Sequence, residues 1–534
     1  MVAGDDPIQD GNRIPKAERM NLTDPQRAED ELRRSLKTGN GEAVARTATM
    51  NIWPLYSAHA DLLTEAITSL PSSVLERYPM LRVLHPMTPV LARTHRSFRP
   101  LISTDDARTM SPEEVDFQVL TQMIAFRLSG DLPAALGYAK RLEDRILHTR
   151  VEARDRLDGP LWYLHLQIGS TLLAAGDSSR ALLEFATARQ LGVYALQPDA
   201  ERVALGRVAL AHAVRGALGE AERALEHASG MPLPTSAHAN ASRTSESTAA
   251  ALIAVDRVSD DVDDVLALLE PYDSVEFTWP FSLLARTRAL LSRQQPDDAL
   301  EAIRLAAGTH PVFPGSFAAD VISSASMAAL IATGQLARAR RVAEEAESSG
   351  VLTKLAMARL ALHDAWYDEA SHILGALSLD PALGPAQRAE WAILKAWLEL
   401  GRAEELSRET AMQLERIAVR RESRRLLAIM PRQLVEEVRG HLIGDTARDF
   451  DRVAGSMAKV EMLSRPALTS GELRVLNALR THRSTASIAA TFHVSPNTVK
   501  SQLRSLYRKL ECSSRDEAIR TATRLRLLGA ADIA

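Results

Sequence analysis

From Gln26 onward, apolar residues recur three and four positions apart, the spacing of one face of an α-helix. The stretch 60–84 carries Leu62, Leu63, Ile67 and Leu70, then Pro71 and a second apolar run, and predicts a helix pair. Pro86, Pro89 and Pro100 break up the segment 86–100. At Ser111 the pattern becomes regular. Ser111, Pro112 and Glu114 have the chemistry of a helix start: a hydroxyl for the free amides, a proline suited to the first position, and a carboxylate to close a capping box. Val115, Val119, Met123 and Phe126 then share a face, and Gly130 ends the helix.

That ending recurs. A turn followed five residues later by a small or apolar residue stands at Gly130/Ala135, Gly176/Ala181, Gly216/Ala221, Gln294/Ala299, Gly334/Ala339, Ala365/Ala370 and Gly401/Leu406, with a weaker member at Asp260/Val265. An irregular period of about 40 residues is the mark of a helical solenoid. Each unit reads as two antiparallel helices, with the small residue letting the second approach the first. One pair buries too little alone, so neighbours must stack. Gly169, Ala181, Phe185 and Ala188 resemble the tetratricopeptide repeat in residue type and spacing, and Ala221, Leu225 and Ala228 fit its second half. An irregular all-α domain is the other reading of 111–416. If the array is a solenoid, its first helices line a groove suited to a protein or peptide ligand.

The text of 468–528 reads as four helices. Thr469 and Glu472 make a capping box, followed by Leu473, Leu476 and Leu479 on one face. The second helix, 485–492, buries Ile488, Ala489 and Phe492, and His493, Val494 and Ser495 form a turn. In the third helix Val499, Leu503, Leu506 and Leu510 make a core stripe, while Asn497, Lys500, Ser501 and Arg504 share another face. An amide, an ammonium, a hydroxyl and a guanidinium there match the groups that read base edges and phosphates in a major groove. Arg508 and Lys509, one turn on, suit backbone phosphates. Ser514 and Glu517 start the fourth helix as another capping box, with Ala518, Ala522 and Leu525 inward.

These residues resemble the C-terminal domain of the LuxR family. The matching text is Leu468-Thr469, Glu472, Val475-Leu476, Ile488-Ala489, Val494-Ser495, Thr498-Val499-Lys500, Lys509-Leu510, Ser514-Arg515 and Glu517-Ala518. The resemblance implies DNA contacts by Thr498, Lys500, Ser501 and Arg504, and dimerisation through the fourth helix. The expected DNA-binding set is thus Thr485, Asn497, Thr498, Lys500, Ser501, Arg504, Arg508 and Lys509. The sequence departs from the family pattern at Gly471, His482, Ser487, Gln502 and Glu511. The resulting fold class is all-α: a flexible leader (1–25), an N-terminal helical region (26–110), tetratricopeptide-like repeats (111–416), a helical linker (417–465) and the helix-turn-helix domain (466–534).

Charge adds to this picture. The chain carries −4 overall, but residues 466–534 hold eleven Lys or Arg against five Asp or Glu, a surplus of six, leaving −10 on the body. A basic tail on an acidic body points to a nucleic-acid partner for the tail alone. The single cysteine, Cys512, allows no intramolecular disulfide or cysteine metal site, and reads as core packing. The polar start and the lack of a long apolar run predict no secretion signal and no membrane span, hence a cytoplasmic protein.

Other chemistry fails on its spacing. No G-x-x-x-x-G-K-[ST] loop is present, so no nucleotide or other cofactor is expected. Asp260, Asp261, Asp263 and Asp264 lack the glycine and terminal Glu of a calcium loop and read as acids at a helix start. The fourteen His make no zinc motif, no Ser is flanked as G-x-S-x-G, and no catalytic site is predicted. Arg420, Arg421, Arg424 and Arg425 read as a solvated helix face, and Arg93, His95, Arg96 and Arg99 as a basic loop. The expectation is a DNA-binding regulator with double-stranded DNA and RNA polymerase as partners, a homodimer, whose body senses or docks. The alternatives are an interaction scaffold whose C-terminal bundle only dimerises, and a sigma-like polymerase subunit.

Overall fold

The computed structural model describes residues 24–84, 112–148, 151–194, 197, 199–234, 238–272, 277–346, 350–402, 405–419, 424–454, 468–510, 512–524 and 527–528. The protein is all-α, and no β-strand occurs among these residues. Among the described residues no helix is long and apolar enough to cross a membrane. The leader, the basic loop 93–99, Arg420, Arg421 and Leu525 lie outside the described residues. Packing divides the chain into two compact units. One holds the described residues up to Ala329 with Glu344–Thr353 and Pro381–Gln387; the other holds Leu330–Ala343, Lys354–Asp380 and Arg388 onward.

The first unit starts with helix Pro25–Lys37, capped by Asp24, whose carboxylate accepts from the Gln26 amide at 3.0 Å. The pair expected over 60–84 is instead three pieces, Ala60–Ser69, Ser72–Leu75 and Pro79–Leu84. Pro71 and Pro79 stand at the breaks, where a missing N–H and a fixed φ end the preceding helix. Antiparallel pairs come next along the chain. Pro112–Leu128 packs on Leu132–His148, Val151–Ala174 on Ser178–Tyr194, Ala200–Arg215 on Leu218–Ser229, and Trp279–Ser292 on Pro296–Thr309. First helices also pack on first helices: Ala200–Arg215 touches His238–Arg257, which touches Trp279–Ser292.

The recurring turn explains how each pair closes. Gly130, Gly176, Gly216, Gln294, Gly334 and Ala365 all sit at positive φ. At Gly176 the Gly176 amide donates to the Leu173 carbonyl at 3.0 Å and the Asp177 amide to the Leu172 carbonyl at 2.9 Å. The same two bonds recur behind Gly216, Gln294, Gly334 and Ala365. This left-handed cap satisfies the last carbonyls of one helix and reverses the chain. The residue five further on, Ala135, Ala181, Ala221, Ala299, Ala339 or Ala370, is then fully buried. Phe185 packs against Gly169, where a Cβ would meet its ring at 2.6 Å, and Ala181, Phe185 and Ala188 are all buried.

Two members of the series differ. In the weak fourth unit the left-handed residue is Val258, not Asp260, and the buried one is Val262. Asp263 and Asp264 occupy the first turn of Val262–Ala267, and Asp263 pairs with Arg293 at 2.7 Å. Helix Pro385–Gly401 runs to its glycine without a left-handed cap, and a Cβ at Gly401 would meet the Tyr367 ring. The one-face expectation for 115–126 is also too narrow. Asp116 to Met123 are all buried, four of them polar, because neighbours cover that helix on several sides.

In the second unit Arg340 pairs with Asp364 at 3.2 Å and Glu369 at 3.0 Å while its guanidinium lies 3.5 Å from the Trp366 ring centre. The expected linker is a packed bundle: Arg408–Val419 lies against Arg432–His441 and Asp445–Ala454, with Leu414, Leu434, Val438 and Phe450 fully buried. Arg424 and Arg425 are not on a solvated α-helical face. They are half-buried in the 3-10 helix Arg424–Ile429, whose other turn sides bury Leu426 and Leu427.

A side chain in the left-handed region costs about 1–2 kcal/mol, which glycine avoids. Val258, with 42% of its surface exposed, gives up little burial if removed. Val258→Gly and Gln294→Gly are therefore expected to stabilise the body by about 1 kcal/mol each. The readout is melting temperature, and a fall in both variants contradicts the cap assignment.

Candidate nucleic-acid interface

The C-terminal module is built on four helices, Ser470–Thr481, Thr485–Phe492, Pro496–Lys509 and Arg515–Arg524. Its core is Val475, Leu476, Leu479, Ile488, Ala489, Val499, Leu503, Leu506, Leu510, Ala518 and Ala522. Phe492 is only half-buried, and it carries the Arg474 guanidinium 5.6 Å from its ring centre. In the first helix the buried phase is Glu472, Val475, Leu476 and Leu479, while Leu473 is exposed. Both phases satisfy a helical spacing. Glu472 decides between them by taking an inward position.

Glu472 is the module's inner polar tie. The expected capping box is present: Thr469 Oγ1 accepts from the Glu472 amide, and the carboxylate accepts from the Thr469 amide at 2.6 Å. The same carboxylate receives the Lys509 ammonium at 2.7 Å. Burial raises the Glu472 pKa, but hydrogen bonds from Lys509, the Thr469 amide and Ser505 outweigh it and hold the carboxyl at about 2. The start of the fourth helix differs from a simple capping box. Ser514 Oγ accepts from the Glu517 amide, but the Glu517 carboxylate accepts from the Ser513 amide and hydroxyl, both at 2.9 Å. Cys512 is half-buried against the core, and burial pushes its thiol pKa up.

The second and third helices meet at a left-handed His493 (φ 53), with the Val494 amide donating to the Ala489 carbonyl at 3.0 Å. Ser495 then caps the third helix by accepting from the Thr498 amide at 3.1 Å, and Pro496 takes the first position. The cap fixes the direction of the helix, and its buried stripe fixes its rotation. Asn497, Thr498, Lys500, Ser501, Arg504 and Arg508 are consequently exposed together. Lys500, Arg504 and Arg508 stand at i, i+4 and i+8, a cationic stripe about 12 Å long at 1.5 Å per residue. No carboxylate among the described residues pairs with any of them. Thr485 is half-buried at the first position of the second helix.

Lys509 is brought elsewhere, inward to Glu472. Sequence reasoning also passed over two basic residues. Arg483 is exposed just before the Ser484 cap of the second helix, in a position marked only by that cap. Arg515 donates to the Leu479 and His482 carbonyls and so closes the first helix; nothing in its local spacing signals that partner.

A short four-helix module with a three-residue turn and an exposed cationic third helix is a helix-turn-helix domain. The family described as bacterial regulatory proteins, luxR family (GerE), matches residues 466–522, and this domain is a LuxR-family domain. Two relatives are named Probable transcriptional regulatory protein NarL, from Mycobacterium tuberculosis strains CDC 1551 / Oshkosh and ATCC 25618 / H37Rv. Each is 37% identical over 87 residues, 16% of this chain and 37% of theirs. The chain thus spans little more than a third of the length of these curated relatives.

Glu472 has a folded pKa below its ordinary value, so the stability it adds is complete above pH of about 4.5 and is lost as pH falls toward 2. Glu472→Gln is expected to cost the module about 1–3 kcal/mol at neutral pH, through a weakened buried ion pair. Hydrogen exchange of residues 468–524 in the full chain measures it. The gap between wild type and variant should close between pH 4.5 and 2, and a gap independent of pH contradicts the role of the carboxylate.

Proposed function

We propose that this protein is a DNA-binding transcriptional regulator that presents Pro496–Lys509 to the major groove. The observation that carries this reading is the exposed stripe of Lys500, Arg504 and Arg508, which no acid among the described residues pairs with, beside Asn497, Thr498 and Ser501. Elsewhere in the molecule several arginines meet carboxylates: Arg202 with Glu246, Arg257 with Glu222, Arg288 with Asp256. Three cations without an acidic partner among the described residues, on one helix face, suit the phosphates and base edges of duplex DNA. Lys500 and Arg504 read bases, Arg508 and Arg483 hold backbone phosphate, and Thr485 lies where the second helix meets the backbone. Lys509 serves the fold through Glu472.

The relatives' name and the LuxR-family match support the regulatory part of the reading. A homodimer joined through Arg515–Arg524 reads two half-sites related by a two-fold axis, and RNA polymerase is the partner that turns binding into regulation. The helical body acts as sensor or docking element. Its first helices in the first unit are buried almost all round; Ala200–Arg215 buries twelve of its residues. That burial leaves these helices little free surface for the protein or peptide ligand expected from an open groove.

Lys500→Ala and Arg504→Ala should each weaken operator binding by about 1–3 kcal/mol, with the fold intact because both side chains are exposed. Wild-type affinity should fall with added salt. Unchanged affinity in both variants defeats the interface. Deleting residues 111–416 should free promoter output from its normal conditions of control, and a truncated protein that regulates as the full one does makes the body a spacer.

A further inference from the structure

On the third helix of the module, Pro496–Lys509, side chains divide by angle as well as by charge. Successive residues turn by about 100°, so Asn497, Ser501, Arg504 and Arg508 fall within a strip about 60° wide. All four are exposed, and the strip lies opposite the buried line of Val499, Leu503 and Leu506. Lys500 stands to one side of it. The start of this helix is already capped: Ser495 Oγ accepts from the Thr498 amide at 3.1 Å. Thr498 Oγ1 lies 2.8 Å from the same oxygen, so that hydroxyl is engaged in the cap. Asn497 has no such duty, and its side-chain amide makes no hydrogen bond to another group among the described residues. Asparagine is also a weaker helix former than alanine. Neither capping nor helix propensity therefore accounts for an asparagine at this position.

We infer that Asn497 reads an adenine and Arg504 a guanine in each half-site, at positions about three base pairs apart. The inference deepens the DNA-binding reading above and rests on it. A side-chain amide accepts from adenine N6 and donates to N7 at once. Guanine offers only acceptors at O6 and N7, which suit the two donors of a guanidinium and leave the amide oxygen of an asparagine unmatched. The two residues are seven positions apart, about 10.5 Å along the helix at 1.5 Å per residue. Base pairs stack about 3.4 Å apart, so that span covers about three of them. The N-terminal residues of a recognition helix reach the base edges, which places Asn497 deepest and Arg508, at the far end, over phosphate.

The test is selection of duplexes from a randomised pool by the full-length protein, for wild type, Asn497→Ala and Arg504→Ala, with sequencing of the bound DNA. Wild type should enrich half-sites holding an adenine and, about three base pairs away, a guanine. Asn497→Ala should lose the preference at the adenine alone and bind the wild-type duplex about 10–100-fold more weakly. Arg504→Ala should lose the guanine alone. Replacing that adenine by 7-deazaadenine, which lacks the N7 acceptor, should weaken binding by wild type and not by Asn497→Ala. The Asn497→Ala protein should melt no lower than wild type, because the side chain is exposed and alanine favours helix. An adenine preference unchanged in Asn497→Ala overturns the inference, as does equal sensitivity of both proteins to 7-deazaadenine. A lower melting temperature also overturns it, because Asn497 is then structural. In each of these cases the enriched sequence still supports the DNA-binding reading. No enriched sequence from wild type defeats that reading, and the inference with it.

Discussion

The left-handed reversal between paired helices, with a buried small residue five positions later, is the constraint on which the body depends. Two helices joined by so short a turn must lie against each other, and a methyl group at Ala181, Ala221, Ala299, Ala339 or Ala370 is about what the contact admits. The cap supplies partners for carbonyls that the reversal would otherwise leave bare. Where another residue stands in place of glycine, as at Val258, Gln294 and Ala365, the chain keeps the conformation and bears the strain. The same cap reappears at His493, where it sets the angle between the second and third helices of the C-terminal module. One local device thus stacks the body and aims the exposed cationic helix of the module.

Charge is distributed to a second rule. In the body, several arginines join helices by meeting carboxylates at about hydrogen-bond distance, as Arg202 does with Glu246 at 2.8 Å. In the module the cations divide. Lys509 turns inward to Glu472 and Arg515 to backbone carbonyls, and both hold the fold. Lys500, Arg504 and Arg508 stay outside, with no acid among the described residues paired to them. The division follows from helix geometry, because a helix that buries Val499, Leu503 and Leu506 on one face leaves Lys500, Arg504 and Arg508 on another.

Much of this was legible in the sequence because it is local. The turn-to-alanine spacing, the Thr469–Glu472 box, the Ser495-Pro496 start and the two faces of the third helix each need only a few consecutive residues. The illegible features depend on partners far along the chain. Leu473 and Val475 both fit a helical spacing, and the phase that buries Val475 is also the one that brings Glu472 to Lys509. Arg424 and Arg425 look like a solvated run, but a 3-10 turn half-buries them. Departures from the family pattern also make sense in pairs that spacing cannot show. His482 hydrogen-bonds Ser487 at 3.0 Å, and Gln502 lies over Gly471, where a Cβ would meet its amide at 2.7 Å. The tetratricopeptide likeness is strongest where Gly169 receives Phe185, while the irregular turns at Val258 and Gly401 fit an all-α array of paired helices more generally.

The central claim is that residues 466–534 bring this protein to particular DNA sequences. Genome-wide mapping of bound DNA, comparing the full chain with one ending at residue 465, tests it most directly. The account predicts discrete sites with an approximate two-fold repeat for the full chain, and their loss in the shortened one. The same sites in both, or no enrichment with the full chain, would contradict it.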